Sequence, residues 1–170
     1  MMKILAVLFL QILFFAPQAS AALKLNDPVP LFSLQDVTGK EFSLRDLVGI
    51  GSTNKGKGVI VSFFASWCVP CRQELPIMNA LVGELRSKGI TVVLVDVKES
   101  VDTVKALLRE LQVDQPVVLT DGEGAISGKY EIRFLPTTFF IGADGKLKDV
   151  IYGEIVNASM LRASADKLIK

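Results

Sequence analysis

Apolar residues are distributed along this chain in three patterns, and each predicts a different element. The first pattern has no period: after Lys3, the run Ile4 to Ala16 is broken only by Gln11, and Pro17-Gln18 and the small residues Ala19-Ser20-Ala21 follow. At 1.5 Å per residue the run reaches about 20 Å, against roughly 30 Å of bilayer hydrocarbon. The order basic, apolar, small is that of a secretory signal peptide over 1–21, cleaved near Ala21-Ala22, with an uncleaved anchor as the alternative. Residues 22–170 then form one exported domain.

The second pattern is the continuous run Val59 to Phe64, which reads as a buried central strand. Further strands are expected at Thr91 to Val97, Val117 to Thr120, Thr137 to Ile141 and Leu147 to Tyr152, the last two joined by an Asp144-Gly145 turn. Leu31 to Leu34 and Glu41 to Leu44 flank Thr38-Gly39 as a short hairpin. The third pattern is helical: Cys71, Leu75, Met78, Val82 and Leu85 recur on one face of a helix ending near Lys88-Gly89. Pro70 suits its first turn, and Pro76 should kink it. Helices are also expected over Asp102 to Gln112 and over Ala158 to Ile169, with Asn157 as cap. Strands alternating with helices, closed by a hairpin, predict an α/β fold with a mixed central sheet covered by helices on both faces.

Composition narrows the chemistry. Half of the 170 residues are hydrophobic and 22% are charged, which excludes a disordered chain. Nineteen Lys and Arg against eighteen Asp and Glu leave a net charge of +1 with no basic run, so nucleic acid is not an expected partner. The absence of histidine removes Ser-His-Asp and Cys-His catalysis, His-ligated zinc and His-ligated haem. The Gly51 to Gly58 stretch nearly matches a phosphate-binding loop. Gly58 occupies the Ser/Thr position, however, and the stretch precedes a strand where the motif must follow one, so no nucleotide is expected.

Only two cysteines remain, Cys68 and Cys71, spaced C-x-x-C immediately after the central strand. As a staple so short a ring contributes only about 2 kcal/mol. A zinc site could be completed only with carboxylates or a second chain, and c-type haem attachment would need His where Arg72 stands. Cys68 falls at the helix N-terminus, where free N–H groups and the positive dipole end favour the thiolate, the form that attacks. Cys71 falls one turn on and inward, placed to attack a mixed disulfide formed at Cys68. The residues divide into nucleophile and resolver.

Trp67-Cys68-Val69-Pro70-Cys71-Arg72, with Glu74 and Pro76, resembles the W-C-x-P-C-[RK]-x-E-x-P signature of exported thioredoxin-like thiol-disulfide oxidoreductases, the TlpA and ResA group. Leu135-Pro136-Thr137-Thr138-Phe139-Phe140-Ile141 resembles that family's cis-proline strand. The resemblance implies a thioredoxin-like fold with an N-terminal β-hairpin and an inserted strand-helix element. It also implies Pro136 cis beside the disulfide, with Leu135 offering its backbone to a substrate peptide and Trp67 and Pro70 flanking the substrate. Glu74 has two readings: a surface acid complementing the first helical turn, or, on the resemblance, a partly buried acid that tunes the thiols. Ser62 stands where cytoplasmic thioredoxins carry a buried Asp.

The activity implied is a disulfide reductase of the periplasm or other exported space. It would be a monomer without cofactor or metal, re-reduced by a membrane electron donor and acting on proteins such as apocytochrome c or copper-site proteins. Two alternatives share the fold. A peroxiredoxin-like peroxidase would need Thr or Ser at position 65, where Ala65 stands. A non-catalytic metal chaperone resembles C-x-x-x-C with a distant His, and both features are missing.

Overall fold

The structure is a computed structural model and describes residues 23–52 and 56–169. The expected signal peptide with its cleavage site, and Thr53-Asn54-Lys55 of the Gly51 to Gly58 loop, lie outside the described residues.

Strands β1 (Ser33–Gln35) and β2 (Glu41–Ser43) pair antiparallel, with Gly39 at φ 89° supplying the left-handed residue of the turn between them. A 3-10 turn at Leu44–Asp46 follows. The main body then runs β3 (Gly58–Phe64), α1 (Val69–Ser87), β4 (Ile90–Val97), α2 (Val101–Leu111), β5 (Val117–Asp121), α3 (Ala125–Lys129), β6 (Thr137–Gly142), β7 (Leu147–Tyr152) and α4 (Ala158–Ala165). The sheet order is β5-β4-β3-β6-β7, with β3, β4 and β5 parallel and β6 and β7 antiparallel. The expected mixed sheet, hairpin and extra strand-helix element are all present.

The apolar run is buried at every position of β3 because this strand lies mid-sheet with both faces covered. Its alternation divides the core. Ile60 and Phe64 join Cys71, Leu75, Met78 and Leu85 of α1 and Leu161 of α4 on one face. Val59, Val61 and Phe63 face the hairpin side, where Tyr130 and Phe139 meet edge to face at 5.1 Å. Three helices therefore cover one face, and the hairpin, the 3-10 turn and short α3 cover the other. The Tyr130 hydroxyl donates to the Pro30 carbonyl at 2.8 Å, tying the N-terminal segment to that second face.

The N-terminal segment also reaches both edges of the sheet. Val37 N–H donates to the Val118 carbonyl of β5 at 3.0 Å. At the opposite edge Asn26 N–H donates to the Leu147 carbonyl of β7, and Leu147 N–H to the Asp27 carbonyl, at 2.8 and 2.9 Å. Asn79 of α1 accepts from the amides of Asp114 and Gln115 and donates to the Gln112 carbonyl, fixing the connection that enters β5.

Most expected elements occur within a residue or two of their positions, and α1 continues through Pro76. Asn157 caps α4 by accepting from Met160 N–H at 2.9 Å. Two details differ. The last helix tightens to 3-10 geometry over Asp166–Leu168, as helix ends commonly do. Helix α3 is a further element, a single turn containing Gly128, too short to display a period.

Candidate active site

Strand β3 ends at Phe64, and the next four residues form a turn closed by Cys68 N–H donating to the Ala65 carbonyl at 3.2 Å. This turn delivers Cys68 to the N-cap of α1, where its Sγ accepts from Cys71 N–H at 3.2 Å. Cys68 and Cys71 are joined by a disulfide, so the structure represents the oxidised pair. Cys68 retains 4% exposure and Cys71 none, the order expected for an outer and an inner sulfur. Pro70 sits in the first helical turn, where its missing N–H costs nothing. Trp67, 70% exposed, precedes the pair, and the exposed Val69 lies between its two cysteines.

The second wall comes from the antiparallel partner of β3. Thr137 of β6 pairs with Phe63, which brings the preceding Leu135-Pro136 to the disulfide end of the sheet. That peptide bond is cis. Pro136 is buried and its carbonyl accepts from Gly153 N–H at 2.9 Å, while Leu135 is half-buried. Among the described residues no hydrogen bond engages the N–H or C=O of Leu135.

Glu74 lies inside the protein at 1% exposure, so its first-turn position is not a surface one. It follows Cys71 by three residues on the buried side of α1. Its Oε1 accepts from the Ser62 hydroxyl at 2.9 Å and its Oε2 from Ile155 N–H at 2.8 Å; the Thr138 hydroxyl in turn donates to Ser62 Oγ at 2.9 Å. Burial pushes the carboxyl up to about 7, although the bonds from Ile155 and Ser62 oppose the rise. Sequence reading named Ser62 and Glu74 but missed Thr138 and Ile155, which no spacing rule connects to them. Among the described residues no three Cys, Asp or Glu side chains converge as ligands for a metal ion.

An oxidised C-x-x-C at a helix N-terminus beside a cis-proline can exchange disulfides. The AhpC/TSA family matches residues 25–150. The thiol-disulfide oxidoreductase ResA of Bacillus anthracis is 35% identical over 141 residues, covering 83% of this chain and 76% of that protein. ResA of Bacillus subtilis (strain 168) is 36% identical over 129 residues, covering 76% and 68%. The chain belongs to the AhpC/TSA family, among the ResA thiol-disulfide oxidoreductases. A crystal structure of a thiol:disulfide interchange protein of the thioredoxin family from Chlorobium tepidum superposes at TM-score 0.70 with 31% identity, covering 88% of this chain and all of that one. This ResA-family chain is thus a thiol-disulfide oxidoreductase on a thioredoxin-like fold, and Cys68-Cys71 is its C-x-x-C pair.

Proposed function

We propose that the protein is a disulfide reductase of the exported space. The observation that carries this reading is the placement of the two sulfurs: Cys68 Sγ at the helix N-cap, accepting an amide hydrogen bond, and Cys71 buried one turn below it. In the reduced enzyme the Cys68 thiolate attacks one sulfur of a substrate disulfide. The substrate S–S bond breaks, and the released thiolate takes up a proton. The Cys71 thiolate then attacks Cys68 Sγ, forming the intramolecular disulfide and freeing the second substrate thiol. Two electrons pass to the substrate, and a membrane electron donor restores the dithiol. Oxidised proteins of the same compartment, including apocytochrome c and copper-site proteins, are the substrates proposed.

The other residues take supporting roles. Leu135, with its backbone groups unengaged beside cis-Pro136, offers an extended substrate segment a strand-like partner. Trp67 and Pro70 border the approach to Cys68. Glu74, whose carboxyl titrates near neutral pH because it is buried, exchanges a proton with the Cys71 thiol during resolution.

Insulin reduction driven by dithiothreitol, run beside peroxide consumption and copper titration, tests the function. Accelerated insulin precipitation is expected, with peroxide consumption at background. Peroxide turnover without insulin reduction would transfer the chain to the peroxidase reading, and tight copper binding without either activity to the chaperone reading. Export has its own test: mass spectrometry of the protein recovered from the expressing cell should find a new N-terminus near Ala22. An intact Met1 in the membrane fraction would convert the soluble enzyme into an anchored one.

A further inference from the structure

A second set of acids, the half-buried Glu99 with the buried Asp96 and Asp121, meets the redox turn outside the machinery assigned above. Glu99, just beyond β4, reaches across to the turn that carries the disulfide. Its Oε2 accepts from Ser66 N–H at 2.6 Å and its Oε1 from the Ser66 hydroxyl at 2.5 Å. Both donors of Ser66 are therefore held by one carboxylate. Ser66 and Trp67 are the central residues of the turn that Cys68 N–H closes on Ala65, so a grip on Ser66 is a grip on the two residues that face a substrate.

Asp96 stands behind Glu99. It is fully buried, and its Oδ2 accepts from Glu99 N–H at 3.1 Å. Its Oδ1 has no hydrogen-bond partner among the described residues. A buried carboxylate oxygen without a donor is costly, and here the neighbouring groups are themselves acids. Asp121 of β5 lies close, its own oxygens taken by the amides of Ile126 and Ser127. Lys98, two residues beyond Asp96, lays its methylene chain across Gly124. The neutral acid would relieve that oxygen, because its proton can be offered to the neighbouring Glu99 side chain.

We infer that Glu99 is a positioning residue of the redox turn, clamping Ser66 and through it Trp67 and Cys68, and that protonated Asp96 holds Glu99 in place. The inference rests on the proposed role of Cys68 for its catalytic meaning, but the clamp itself can be read without any turnover. Burial and the neighbouring Glu99 side chain push the Asp96 carboxyl up to about 7, although the bond from the Glu99 amide opposes the rise. Below that pH the proton is present and the clamp is closed. Above it that proton is lost, the Asp96 carboxylate faces Glu99 with nothing between them to share, and the hold on Ser66 loosens.

Trp67 is the only tryptophan of the chain, so its emission reports the turn directly. The oxidised full-length protein is the right sample, because its cysteines do not titrate. Its Trp67 emission should show an inflection near neutrality. Asp96→Asn, isosteric and permanently neutral, should abolish that inflection and hold the low-pH emission throughout. Ser66→Ala, which leaves both acids in place but cuts the hydroxyl link to the turn, should shrink its amplitude. Glu74→Gln should leave it unchanged, separating this pair from the other acid that titrates in the same range. A flat wild-type curve, an inflection that survives Asp96→Asn, or one lost in Glu74→Gln overturns the clamp. Insulin reduction by wild type, measured in parallel, decides the proposed function independently of these curves.

Discussion

Cys71→Ser protein, reduced and mixed with an oxidised protein substrate, is expected to accumulate a covalent adduct through Cys68, while Cys68→Ser forms none. Both variants lose turnover to background, because each removes one of the two sulfur displacements the cycle needs. Non-reducing electrophoresis of the mixtures reads the adduct. The same asymmetry should appear in alkylation: iodoacetamide should modify Cys68 of the reduced wild type before Cys71. The rate should inflect below the ordinary thiol value of about 8.5, because the Cys71 amide and the helix dipole stabilise the Cys68 thiolate. An adduct on Cys71, or faster alkylation there, would reverse nucleophile and resolver.

Replacing Glu74 by Gln is expected to change both the pH dependence of stability and the titration of the thiols. A carboxyl at its ordinary value of 4.5 in the unfolded chain and pushed up to about 7 in the folded one binds its proton more tightly when folded. Its contribution is therefore fully present below about pH 4.5 and is lost as pH rises through about 7. The rise corresponds to roughly 3 kcal/mol. Glu74→Gln should remove this part of the slope, so its advantage over wild type in denaturant midpoint grows from acid towards alkaline pH. In the reduced state a charged Glu74 near Cys71 raises the thiol by like-charge repulsion, so the variant should titrate Cys71 at lower pH. Thiolate absorbance recorded for the two proteins checks this. Superimposable curves would leave Glu74 with a structural role only.

The fold was readable wherever a pattern ran long enough to have a period. Val59 to Phe64 read as a central strand because every position but Ser62 was apolar, and α1 repeated its apolar face over several turns. Cys68 and Cys71 lay between these two elements, which fixed the site from local sequence alone. Pro136 was different: X-Pro bonds are mostly trans, and only the family resemblance pointed to the cis bond. Glu74 was ambiguous because its partners Ser62 and Ile155 are 12 and 81 positions away and donate through a short hydroxyl and a backbone amide. Nothing in side-chain type marks Ile155 as polar in function. Glu99 escaped notice for the same reason, its contact with Ser66 spanning 33 positions between two strand ends.

The N-terminal stretch that reaches β5 and β7 also bears on how this sheet avoids other chains. An open sheet exposes a row of unpaired amides and carbonyls along each outer strand, a template for joining a foreign strand. Here Val37 occupies part of the β5 rim, and Asn26 and Asp27 occupy the start of the β7 rim. The same short stretch thus covers part of each rim. A substrate segment that docks on the unengaged backbone of Leu135, as proposed, therefore competes less with the parts of the outer strands that the chain's own N-terminal stretch already occupies.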